Sequence, residues 1–256
     1  MVSAAMTRDR ESLQAAVDAL PYWHHSIDLG HGVVTPGVKS PAYHREELEL
    51  LHLPDLTGKT VLDVGAWDGY YAFEAERRGA ARVVAMDSYI WQTDLSGWGP
   101  PERRRHVSGP LPGRCGFELA RAALGSSVEA VECEVLDAGP ETLGTFDVVL
   151  FLGVLYHMRH PLLALERMAS VTRELLVVET HMVDIPHFEH VPLWEFYEGT
   201  KLADDPTNWW APNVPGVLGM LRAAGFREAT LVGETPRPPR DGLRFGHFRG
   251  FAHARP

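Results

Sequence analysis

The segment from Thr60 to Arg78 constrains this chain more than any other. A short apolar run, Thr60-Val-Leu-Asp-Val64, breaks into Gly65-Ala-Trp-Asp-Gly69 and reopens with helical spacing from Tyr70 to Arg78. The run is β-branched and apolar, as a buried parallel strand should be. Gly65 and Gly69 bracket the turn, where a missing Cβ permits positive φ or the close approach of a ligand. A strand–turn–helix unit of this kind binds a nucleotide-like ligand at the carboxyl end of its strand. A dinucleotide site would read G-x-G-x-x-G, with the second Gly admitting a pyrophosphate. Trp67 stands there, so a pyrophosphate would meet an indole.

Three downstream segments extend the pattern. Arg82-Val-Val-Ala-Met-Asp87 is a second short strand ending in a carboxylate, followed by Ser88. An acid at that position can accept two hydrogen bonds from a ribose diol. Val128 to Leu136 alternates apolar and acidic residues, which predicts a strand with Asp137 after it. Phe146 to Leu152 is apolar on both faces, hence a central strand. It runs into Gly153-Val-Leu-Tyr156-His157, and Pro161 then starts a helix at a position that needs no N–H.

The pattern Asp63-x-Gly65-x-x-x-Gly69, with Asp87 and Gly153-Val-Leu-Tyr-His157, resembles the class I S-adenosylmethionine (SAM) methyltransferases. Within them it is similar to the tRNA wobble-uridine carboxymethyltransferases and related bacterial small-molecule methyltransferases. Ile27 to Gly37 and Asp205 to Asn213 fit the same subfamily. Trp67 departs from it, because the family usually has a third Gly there. The resemblance implies a Rossmann-like α/β fold, a seven-stranded sheet with helices on both faces. It implies SAM as cofactor, leaving S-adenosylhomocysteine (SAH). Expected cofactor contacts are Asp63 to the methionine ammonium, Asp87 to the ribose, with Ser88 beside it, and Asp137 near the adenine. Gly65, Trp67, Gly69, Gly153 and Tyr156 would line the same site. The wobble-uridine relatives meet the extra carboxylate of their donor with cations, one a Lys after a Pro-Trp pair. Here Pro21-Tyr-Trp-His-His25 stands in that region and the first Lys is Lys39, although Tyr156 persists and a C-terminal arginine such as Arg240 could serve. Ordinary SAM is therefore the expected donor.

Methyl transfer to oxygen or nitrogen releases a proton, so a general base helps. His157 is the first candidate and His181, expected at the next strand's edge, the second; a structural role for His157 is equally open. Small-molecule pockets combine aromatics with a few polar anchors. Tyr22, His24, Trp91, Asn208, Trp209 and Trp210 are the candidates for acceptor contacts. His157/His160 and His187/His190 recur at three-residue spacing, yet HExxH and cysteine clusters are absent, so no metal is expected.

The chain divides into an N-terminal cap and lid, residues 1–53, and a methyltransferase domain, 54–256, with an insertion at 181–213. Tyr22 to Pro41 should fold over the cofactor. Helices are expected at Arg8–Leu20, Ala42–Leu53, Phe117–Leu124, Leu162–Val171 and Pro215–Ala224. Glu174–Thr180 should be a strand, and Phe226–Val232 and Phe245–Ala254 an antiparallel pair closing the sheet. Ser88–Gly116, with Trp98 and Arg103-Arg-Arg105, reads as a functional loop.

A net charge of −10 argues against a large nucleic-acid partner, which needs many phosphate contacts. Two cysteines and an N-terminus without an apolar signal core suggest a reduced, cytoplasmic protein, monomer or homodimer. The readings that remain are a small-molecule methyltransferase of secondary metabolism, an RNA-modifying transferase and a SAM-binding protein without catalysis.

Overall fold

The fold is described from a computed structural model, for residues 10–88, 91, 113–237 and 245–256. Trp98, Arg103–Arg105, Arg240 and Arg244 lie outside them. Among the described residues, nine strands and seven helices follow in chain order. They are α1 (Arg10–Asp18), α2 (Pro41–Leu51), β1 (Thr60–Val64), α3 (Tyr70–Arg77), β2 (Arg82–Asp87), α4 (Cys115–Leu124) and β3 (Glu129–Glu132). Then come α5 (Pro140–Leu143), β4 (Phe146–Leu152), α6 (Pro161–Val171), β5 (Thr172–Asp184), β6 (Trp194–Phe196) and β7 (Trp210–Pro212). The chain finishes with α7 (Val214–Ala223), β8 (Glu228–Glu234) and β9 (Gly246–Arg255). Short 3-10 turns follow β3 at Val135–Asp137 and β4 at Leu155–His157.

Seven strands form one sheet in the order β3-β2-β1-β4-β5-β9-β8. The first five are parallel, while β9 runs antiparallel to both β5 and β8. The expected seven-stranded Rossmann-like sheet is thus present. Alternate residues feed two apolar layers. Val61, Val83, Val148 and Val177 pack on one face with Leu13, Phe73 and Phe117; Leu62, Val84, Val149 and Val178 pack on the other with Leu165, Met168 and Val217. No helix among the described residues is long and apolar enough to cross a membrane.

Local chemistry sets the element ends. Ser40 caps α2 by accepting the Tyr43 N–H at 3.2 Å, with Pro41 in the first turn. Asn213 caps α7 through Gly216 N–H at 2.9 Å and also accepts Leu193 N–H at 3.0 Å. It thereby ties the insertion around Leu193 to the start of α7.

Two expectations are corrected. The third strand ends at Glu132, where its parallel partner Asp87 ends β2, so Asp137 is exposed on a 3-10 turn and not at a strand end. Strand β5 continues past Thr180 to Asp184, because β9 pairs with it along that whole length. His181 therefore lies within β5, opposite Arg249, and the insertion begins only after Asp184.

Candidate active site at the carboxyl edge of the sheet

The ends of β1, β2 and β4 meet at the turn Gly65–Gly69. Gly65 and Gly69 adopt φ of 74° and 90°. A Cβ on Gly65 would lie 2.5 Å from the Val154 side chain, so glycine is required where β1 and β4 converge. Trp67 takes φ 52° without being glycine, an uncommon state for a bulky residue. Its surroundings hold it there. The indole stacks on His24 with centroids 4.4 Å apart, Tyr22 lies 5.7 Å away, and Trp91 Nε1 donates to the Trp67 carbonyl at 2.7 Å.

The segment around Trp23 does fold over this turn. The His24 and His25 N–H groups donate to Asp68 Oδ2 at 2.8 and 3.0 Å, and the His25 ring bonds to Asp68 Oδ1. Burial, reinforced by His25 and Lys39, keeps the His24 pKa well below its ordinary value, so His24 is neutral. Lys39 pairs with Glu47 at 2.8 Å, and Glu47 also accepts the Tyr71 hydroxyl. Beside them His44 stacks on Tyr70 at 3.6 Å with both ring nitrogens unpartnered, and burial pushes its pKa to about 3.

Asp63 is buried on β1. It accepts the Ala72 N–H, and its Oδ2 has no partner. Burial raises its pKa to about 7, with Asp87 adding to the effect. A buried, half-satisfied carboxyl beside a glycine turn fits a cationic ligand group such as the methionine ammonium. Asp87, also buried, accepts Trp67 N–H at 2.9 Å and so shapes the turn from the end of β2. Ser88 is buried next to it. With Asp137 exposed, the position beside Asp87 belongs to Cys133, whose N–H donates to the Asp87 carbonyl at 3.2 Å, and then to Glu134.

At the end of β4 lies a cluster not singled out from the sequence. Arg249 of β9 forms a two-pronged ion pair with Glu179 of β5, with Nη2 to Oε2 at 2.6 Å. Its guanidinium lies over the Tyr156 ring at 4.9 Å. Gly153 sits above, where a Cβ would be 3.6–3.8 Å from Tyr156, Glu179 and Arg249. Burial alone would lower the Arg249 pKa; Glu179 and Tyr156 outweigh it and hold it well above the ordinary value. Among the described residues, the C-terminal arginine beside Tyr156 is Arg249; Arg240 lies outside them.

The two base candidates differ. His157 Nδ1 faces Thr207, and burial lowers its pKa. His181 Nε2 is 3.1 Å from His247 Nδ1, which is 3.3 Å from the Tyr197 hydroxyl. Burial, with Arg249 and His247, lowers the His181 pKa to about 4. Among the described residues no three His, Cys, Asp or Glu side chains gather to hold a metal ion.

The acceptor candidates fall into two groups. Tyr22, His24 and Trp91 surround Trp67, and Trp91 is buried behind the turn. Asn208, Trp209 and Trp210 lie on the other side, tied to the Leu155–His157 turn by Trp209 N–H donating to the Tyr156 carbonyl at 2.8 Å. Asn208 is buried with its Oδ1 unpartnered, as is Trp210 Nε1. Thr207 contacts His157 and is itself bonded to Asp205; neither carried a signal of its own beyond the Asp205–Asn213 resemblance.

A family model described as a methyltransferase domain matches residues 40–229. A tRNA U34 carboxymethyltransferase of Marinobacter nauticus is 28% identical over 187 residues, covering 71% of this chain and 48% of that protein. The corresponding enzyme of Cellvibrio japonicus is 28% identical over 238 residues, covering 89% and 63%. The chain spans less than two thirds of either relative. Among solved structures, the N-terminal domain of EvdMO1, crystallised with SAH and D-fucose, has a TM-score of 0.63 at 19% identity, covering 96% of this chain and 97% of that one. It shares the fold.

Proposed function

Because the chain belongs to the methyltransferase family, we propose that it transfers a methyl group from SAM to a small polar acceptor in secondary metabolism. The donor, when bound, supplies an electrophilic methyl group on a sulfonium. Asp63 is suited to its ammonium, Asp87 to its ribose diol, and Gly65 and Gly69 to close backbone approach. The adenine end falls to Cys133 and Glu134. His157, at the β4 edge, is the group best placed to take the acceptor's proton, ahead of His181, whose Nε2 is engaged by His247.

One observation supports both the donor and the acceptor class. Among the described residues, two cations near this end of the sheet have carboxylate partners, Lys39 with Glu47 and Arg249 with Glu179. A carboxylated donor would add a buried negative charge, which costs several kcal/mol unless paired. In the region where the wobble-uridine relatives carry a lysine, this chain has His24 and His25, and the ring of His25 is bonded to Asp68. The overall charge of −10 likewise favours a small acceptor over RNA. The D-fucose of the EvdMO1 crystal makes a hydroxylated ring the first acceptor class to assay.

The tRNA reading keeps two points in its favour: the relatives reported above are tRNA U34 carboxymethyltransferases, and Arg249 stands over Tyr156, next to the expected methyl position. Competition calorimetry with SAM and carboxylated SAM separates the two readings. Tighter binding of SAM is expected. Tighter binding of the carboxylated donor, with salt-sensitive tRNA binding, would transfer the assignment to wobble-uridine chemistry.

A further inference from the structure

The surroundings of His157 determine which of its nitrogens carries the proton. Nδ1 lies 2.9 Å from the Thr207 hydroxyl and 3.2 Å from the Thr207 carbonyl. The carbonyl can only accept. The hydroxyl donates its single proton to Asp205 Oδ1 at 2.6 Å, and that same oxygen accepts the Thr207 N–H at 2.8 Å. Having given its proton to Asp205, the hydroxyl accepts from Nδ1. Both neighbours of Nδ1 are therefore acceptors, Nδ1 bears the hydrogen, and the neutral ring keeps its lone pair on Nε2. The segment is clamped by Asn208 N–H to the Asp205 carbonyl at 3.2 Å and by Trp209 N–H to the Tyr156 carbonyl.

We propose that Asp205 and Thr207 are positioning residues that fix His157 as its Nδ1–H tautomer, so that Nε2 takes the acceptor's proton. This rests on the methyl-transfer reading above. As the acceptor's lone pair bonds to the methyl carbon, its proton passes to Nε2 and the carbon–sulfur pair stays on sulfur, which becomes neutral. The imidazolium so formed is supported through Thr207 by Asp205, and it returns the proton to solvent. The charged groups facing the ring are Asp205 and Glu179, which favour protonation, and Arg249, which opposes it. Burial outweighs them and keeps the resting ring neutral.

Nitrogen-15 NMR of the histidine rings tests this without an acceptor, on full-length protein with and without SAH. Wild type should show His157 as Nδ1–H. Thr207→Val should move a measurable share to Nε2–H and lower the pKa by about one unit, and Thr207→Ser should restore both. A merely structural threonine would leave tautomer and titration unmoved. A wild-type Nε2–H tautomer, or a Val variant that titrates like wild type, overturns the proposal. SAH binding in the same samples keeps the two readings apart. Its absence in wild type defeats the donor assignment, whereas intact SAH binding with the wrong tautomer defeats only the role given to Asp205 and Thr207.

Discussion

Replacing Asp63 by Asn should strengthen the empty protein and weaken the loaded one. Burial raises the Asp63 pKa from 3.8 to about 7, so folding takes up a proton between those values. For a carboxyl with a raised folded pKa, stability is highest below the unfolded pKa and falls as pH rises through the window from about 4 to about 7. Above pH 7 the ionised group costs about 4 kcal/mol, at 1.36 kcal/mol per unit. Asn retains the acceptor for Ala72 N–H but leaves an amide N–H₂ where Oδ2 has no partner, a loss of about 1–3 kcal/mol. The net gain at pH 8 is about 2 kcal/mol, or about 4–8 °C in Tm for a domain of this size. Below pH 5 wild-type Asp63 is protonated and the advantage closes. SAH affinity should move the other way, falling by about 1.5–3 kcal/mol with loss of the charge-assisted bond to the ammonium. Thermal melts from pH 5 to 9, with calorimetric titration of SAH, measure both. An Asn variant that is less stable than wild type at pH 8, or that binds SAH equally well, would refute the reasoning.

Asp87→Ala should lose on the order of 2–4 kcal/mol of SAM affinity. Calorimetry on the folded variant checks it, and unchanged affinity removes Asp87 from the site. Asn208→Ala should raise the acceptor KM or lower kcat while SAM affinity stays near wild type. Loss of SAM binding in a folded variant would move residues 205–210 to the cofactor side.

The parts of the candidate site whose geometry was legible in the sequence are those built within one strand–turn–helix unit. Gly65, Gly69, Asp63 and Asp87 are recognisable because one short segment supplies both the strand and the turn, and because a carboxylate at a strand end has a local signature. Asp137 was misplaced since alternation of apolar and acidic residues continues past Glu132, and periodicity does not register where the neighbouring strand stops. His181 was placed at an edge for a similar reason: the length of β5 is decided by β9, some sixty residues later. Arg249 resembled one of several C-terminal arginines until β9 set it against Glu179. Thr207 and Asp205 were hidden more deeply, because an exposed-looking Asp-Pro-Thr turn acquires its role only when the insertion folds back onto the Tyr156–His157 turn.

The placement of β9 has a consequence for the order of assembly. This strand follows β8 in the chain yet lies between β8 and β5, so β8 has no strand of the sheet to pair with until β9 arrives. Until then Glu179, fully enclosed in the finished fold, has no guanidinium to balance it, and an unpaired buried charge opposes compaction. The five parallel strands can gather early, but the carboxyl edge of the sheet beside Glu179 is completed only when β9, with β8, closes on them. Pairing across so long a stretch of chain is slow because loop entropy must be lost first. That edge is therefore finished only when Arg249 reaches Glu179.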